Sequence, residues 1–141
     1  MPEQPLDIGV LGYRFMGKAH ANAFARLQMF FPDAPAINRD VIVGRDKNDL
    51  VEAASQYDFD RTATDWRDVV DEVDVFYNLG PNHVHSEPSV AALEAGTPVF
   101  CEKPLAPTLE DAITMAAAAD EASVPAGIAF NYRFVPAIQY A

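Results

Sequence analysis

The strongest constraint on this chain is an apolar run that closes on a glycine turn, Asp7-Ile8-Gly9-Val10-Leu11-Gly12-Tyr13-Arg14-Phe15-Met16-Gly17. Asp7–Leu11 reads as a buried strand that passes directly into a helix starting near Phe15, with Lys18, His20 and Asn22 in its first turns. A strand, a glycine turn and a helix in that order bring backbone N–H groups and a helix N-terminus together, where a dinucleotide pyrophosphate can be held. Gly12 and Gly17 stand at the first and third positions of the G-x-G-x-x-G pattern. Arg14 stands at the second, where glycine normally lets the backbone approach the phosphate. Either the phosphates then sit further out, or Arg14 swings aside and bonds them, or the site is degraded.

The rest of the chain alternates. Met16, Ala19, Ala23, Leu27 and Phe30 recur at helical spacing over Phe15–Phe31, before Pro32 and Pro35. Val41–Val43 reads as a second strand and Asn48–Tyr57 as a helix; Asp65 is placed to cap a short helix over Trp66–Asp71. Val75–Leu79 is a strand stopped by Gly80-Pro81, and Val84–Ala95 a helix with Gly96 at its end. Pro98–Cys101 is a strand, Thr108 caps an alanine-rich helix, and Ala126–Phe130 is the last strand. This alternation predicts an α/β protein, a doubly wound Rossmann fold with a mainly parallel sheet and helices on both faces. Residues 1–130 form the expected domain, and 131–141 read as the start of a connection to a second domain absent from the chain.

The charge narrows the possible partners. The chain has 21 acidic against 10 basic residues, a net charge of −11, and only three lysines. The acids are spread along the chain, so the surface should repel nucleic acid and anionic membranes. Such a lysine-poor acidic surface resembles those of proteins from salt-loving organisms. A single cysteine, Cys101, suits a reducing compartment, and a cytoplasmic location is expected. His83, His85 and Cys101 do not have the spacing of a zinc site, so no metal is expected.

In an open parallel sheet, ligands bind beyond the carboxyl ends of the strands. Gly12–Gly17, Gly44-Arg45-Asp46, Gly80–His85, Glu102-Lys103-Pro104 and Asn131-Tyr132-Arg133 each follow a strand. Arg14, Lys18, Arg45 and Lys47 gather near the first two strand ends, as a bound polyphosphate would require. Cofactor choice turns on the second. Gly44-Arg45 stands where an NAD enzyme places a carboxylate, which favours NADP(H), with Arg45 bonding the 2′-phosphate. A strand end one residue later would put Asp46 on the ribose, so NAD(H) stays open.

Three motifs make the chain resemble the glucose–fructose oxidoreductase, inositol dehydrogenase and rhizopine-catabolism family (Gfo/Idh/MocA). They are the turn ending Met16-Gly17-Lys18-Ala19-His20, the segment Pro81-Asn82-His83-Val84-His85, and Glu102-Lys103-Pro104-Leu105, with support from Asn131-Tyr132-Arg133-Phe134. The resemblance implies an NAD(P)-dependent oxidoreductase acting on a sugar, cyclitol or related polyol, homo-oligomeric at full length. A dinucleotide sensor without turnover is the alternative.

The resemblance also implies roles. Lys103 is the expected catalytic residue. Phe15 and Met16 join the phosphate turn, Leu79 and Gly80 pack near the ribose and nicotinamide, and Pro81, Asn82 and His85 line the opposite side of the cleft. Glu102 positions the cofactor or caps the next turn; Asn131 and Arg133 reach the active-site edge, or Arg133 pairs with an acid at the domain junction. His20 reads as a packing or hydrogen-bonded residue.

Overall fold

The computed structural model describes residues 4–141. Six strands, β1 (Leu6–Leu11), β2 (Ile37–Val43), β3 (Arg61–Ala63), β4 (Val75–Asn78), β5 (Val99–Cys101) and β6 (Ala126–Ile128), form one sheet in the order β3-β2-β1-β4-β5-β6. Every neighbouring pair is parallel. The helices between them are α1 (Phe15–Phe30), α2 (Lys47–Tyr57), α3 (Ser86–Glu94) and α4 (Leu109–Glu121), and the short α5 (Pro136–Gln139) follows.

Both faces of the sheet are covered, which explains why its central segments, Ile8–Leu11 and Val41–Val43 among them, are apolar runs rather than alternating patterns. Ile8, Val10 and Ile42 pack with Ala21, Leu50, Ala53 and Ala54 of α1 and α2 on one face. Val41, Val43, Phe76 and Val99 pack with Ala92, Leu93 and Met115 of α3 and α4 on the other. This is the doubly wound arrangement expected from the alternation.

Register decides where the loops go. Val43 pairs with both Leu11 and Ala63, Leu11 with Asn78, Asn78 with Cys101, and Cys101 with Ile128. The last residues of all six strands therefore form one row, and the segments that follow them share one edge. Strand order runs outward in opposite directions from β1 and β4, so the crevice between those two is the switch point at which such sheets bind ligands.

Several boundaries differ from the expected ones. β2 starts at Ile37, and the helix expected from Val84 is a 3-10 turn over Asn82–Val84 followed by α3. Trp66–Asp68 is likewise a 3-10 turn, with Asp65 accepting from Arg67 N–H as its cap. Gly96 follows α3 with φ +83, and Thr108 accepts from Asp111 N–H at the start of α4.

Candidate functional site

The turn after β1 is shaped by two close approaches. Gly12 has φ +107, and a Cβ there would lie 2.8 Å from Leu79 O, so only glycine lets this turn rest on the end of β4. A Cβ on Gly17 would lie 2.3 Å from Gly12 O, so glycine there lets α1 seat against the same turn. The Tyr13 ring covers Gly44, where a Cβ would fall 2.4 Å from Tyr13 Cε1. The Tyr13 hydroxyl donates to Asp49 Oδ2 at 3.3 Å.

The helix that leaves this turn has an unusual start. The first helical bond of α1 runs from Lys18 N–H to Arg14 O, so the amides of Phe15, Met16 and Gly17 precede the ladder. Among the described residues no side chain caps α1, and no acid lies in its first turn. By contrast, α2 is capped by Asp46, α4 by Thr108, and α3 carries Glu87 in its first turn. The positive end of the α1 dipole is thus left for an external anion.

That end opens on a cleft of about 580 Å³, within the roughly 300–1,000 Å³ usual for small-molecule sites. Gly12, Arg14, Phe15 and Met16 line it from the glycine turn, Arg45 from the end of β2, and Leu79, Gly80 and Pro81 from the end of β4. The far wall is Thr64, Asp65, Trp66 and Arg67 after β3, with the Arg67 guanidinium 4.2 Å from the Trp66 ring centre. Sequence reading did not assign this wall or Tyr13 to the site, although the Asp65 cap and the lone tryptophan were visible signals. Arg14, at the fingerprint's second position, turns its side chain outward along the cleft rim. Its side chain is 84% exposed and its guanidinium lies 3.8 Å from Asp49 Oδ2.

Asp46 caps α2 through one carboxylate oxygen. Its Oδ1 accepts from Asn48 N–H at 2.9 Å and from Asp49 N–H at 3.1 Å. Arg45 is exposed and lines the cleft.

His85 corrects the sequence reading: it does not line the cleft. The residue is 0% exposed, with Nε2 2.9 Å from Gly80 O and Nδ1 2.9 Å from Pro104 O. A carbonyl only accepts, so the ring donates from whichever nitrogen carries hydrogen, and from both when protonated. His85 therefore ties the loop after β4 to the loop after β5. The buried Asn78 supports the same loop, donating to Val84 O, His85 O and Ser89 Oγ at 3.0–3.1 Å. Asn82 is exposed in the 3-10 turn beside the cleft and is not among its lining residues.

Glu102 is 5% exposed. Its Oε2 accepts from Lys103 N–H at 3.0 Å and its Oε1 lies 3.2 Å from His20 Nε2, so it caps its own turn and pairs with α1. Lys103, Asn131 and Arg133 are exposed beyond the ends of β5 and β6, on the shared edge but outside the lining of the cleft. The thiol of Cys101 is buried and pushed up to about 11, so it is a neutral core group at ordinary pH. Among the described residues no cluster of three or more His, Cys, Asp or Glu could hold a metal, and no helix is long and apolar enough to cross a membrane.

The glycine cradle, the uncapped α1 and the cleft at the switch point fit a dinucleotide, and together they define a nucleotide-binding Rossmann domain. Residues 6–130 match the oxidoreductase family with an NAD-binding Rossmann fold, GFO_IDH_MocA, and the chain belongs to that family. Levoglucosan dehydrogenase of Pseudarthrobacter phenanthrenivorans is 41% identical over 141 residues, covering 98% of this chain and 36% of that enzyme. D-xylose dehydrogenase of Paenarthrobacter nicotinovorans is 30% identical over 100 residues, covering 70% of this chain and 26% of that enzyme. The structure of levoglucosan dehydrogenase in complex with NADH and levoglucosan superposes with a TM-score of 0.91 at 41% identity, covering 96% of this chain and 37% of that one. The chain thus spans about a quarter to a third of the length of these relatives.

Proposed function

We propose that this chain is the cofactor domain of a dehydrogenase that moves hydride between a nicotinamide dinucleotide and a sugar, cyclitol or related polyol. The observation that carries this reading is the start of α1, uncapped and free of acids, facing a cleft at the switch point. Levoglucosan and D-xylose dehydrogenases among the relatives support the substrate class. A further domain would supply the remaining substrate pocket, its acid–base residues and an oligomer interface. A cytoplasmic location fits the single buried cysteine.

In this reading Gly12 and the amides of Phe15, Met16 and Gly17 receive the pyrophosphate. Arg45 and the Trp66–Arg67 wall flank the adenosine end, and Leu79, Gly80 and Pro81 flank the ribose leading toward β4. The nicotinamide, when bound, supplies the hydride acceptor or donor at C4. Lys103, exposed at the end of β5, presents its ammonium to the substrate hydroxyl and eases loss of the hydroxyl proton as hydride departs. Asn131 and Arg133 stand beside it along the edge.

The relatives' NADH complexes support NAD(H) as a working cofactor. Preference for NADP(H) has its support in Arg45, which lines the cleft, and in Asp46, whose carboxylate is engaged by α2. Trp66 lies in the cleft wall, so its fluorescence reports binding. Titration with NADH and NADPH should show saturable binding, and no binding of either would overturn the assignment of the cleft. Arg45→Asp should weaken NADPH by roughly 10–100-fold, the worth of a charge-assisted bond, while NADH stays within about threefold. An unchanged NADPH affinity would remove Arg45 from the 2′-phosphate.

A further inference from the structure

Lys103 carries its charge on a flexible four-carbon stem, so the place its ammonium occupies depends on how firmly its own backbone is held. The residues on both sides of it are gripped, each by a histidine from a different element.

On one side is Glu102. One carboxylate oxygen lies 3.2 Å from His20 Nε2 on α1, the other accepts from Lys103 N–H at 3.0 Å, and its own N–H donates to Asn78 O at 2.9 Å. The His20 side chain is 17% exposed, with its ring centre 6.0 Å from Phe24, 5.8 Å from Tyr77 and 6.0 Å from Phe100. An imidazole packed among three rings from α1, β4 and β5 holds the buried carboxylate in one orientation. On the other side is Pro104, whose carbonyl lies 2.9 Å from His85 Nδ1, while His85 Nε2 reaches Gly80 O.

We infer that His20 and His85 are positioning residues for Lys103. From opposite sides they fix the turn after β5 and so set where the ammonium meets the substrate. The inference rests on the role proposed above for Lys103.

The test uses the full-length enzyme with His20→Phe, His20→Gln, Glu102→Gln, His85→Asn and, as reference, Lys103→Ala. His20→Phe should lower kcat by roughly 10–100-fold, the range of a lost hydrogen bond to a charged group, with cofactor Kd within about threefold. Amide exchange at Lys103 should quicken in the same variant by about tenfold or more, and His20→Gln, which keeps a donor, should recover most of both. Combining His20→Phe with Glu102→Gln should add little to either alone, because they act on one contact. His85→Asn should mirror the kcat effect and the faster exchange at Lys103, and if it fails to fold, His85→Gln, which keeps a donor, is read by the same two measurements.

Parallel loss of kcat and cofactor affinity, or unchanged exchange at Lys103, would overturn the inference by marking both histidines as packing residues. Lys103→Ala isolates the other failure. If it turns over normally, the role of Lys103 falls, while exchange at its amide still reports whether the histidines hold the turn.

Discussion

At Cys101, the last residue of β5, burial pushes the thiol from the ordinary 9.0 up to about 11. The folded state keeps this proton when the unfolded chain has lost it. The contribution to stability is full below about pH 9 and disappears as pH rises toward 11, about 2–3 kcal/mol in all. Urea unfolding across that range should show the decline, and Cys101→Ala should flatten it; an identical slope in the variant would assign the decline to other groups. Gly12 and Gly17 were legible because their requirement is local, a turn touching its own helix and the neighbouring strand. His85 was not. Its sequence position places it in a strand-end loop, but the direction of the ring is set by the carbonyls of Gly80 and Pro104, one after β4 and the other after β5. The His20–Glu102 contact spans 82 positions, and no local pattern carries it.

Among the elements, α2 shows how a side chain at a candidate ligand position also caps a helix. Asp46, the alternative ribose ligand in the sequence, gives one carboxylate oxygen, Oδ1, to the first amides of the helix. Asp46→Ala should cost about 1 kcal/mol, seen as a lower urea midpoint at unchanged slope, with NADH affinity within about threefold. A large loss of NADH binding without loss of stability would return Asp46 to the ribose. The strands flanking the cleft were legible because they are buried on both faces and read as apolar runs. β3 escaped notice because Arg61-Thr62-Ala63 is short and mostly exposed, with no hydrophobic period. The helix after β4 was misplaced because Pro81 and the Asn78 bonds force a 3-10 turn first.

For the molecule as a whole, the net charge of −11 opposes compactness. The ion pairs of Arg61 with Asp40 and Glu72, and of Arg67 with Asp65 and Glu87, lie at the surface, where each is worth about 0–1 kcal/mol and weakens in salt. With a net charge of −11, screening of the self-repulsion is expected to outweigh their loss. Raising salt from about 0.1 M to about 2 M should raise Tm by several degrees. A melting temperature indifferent to salt would remove the case for a salt-adapted surface.

The fold class, a parallel sheet with helices on both faces, was readable from alternation; the strand order was not. Nor was the alignment of all six strand ends, because register is set by packing between strands distant in sequence. The sheet also ends on both sides in strands of three residues, β3 and β6. Those borders expose little unsatisfied main chain, so another polypeptide finds almost no template there for cross-β growth. This domain is thereby protected against amyloid-like stacking at the flanks of its sheet, while its ligand edge stays open.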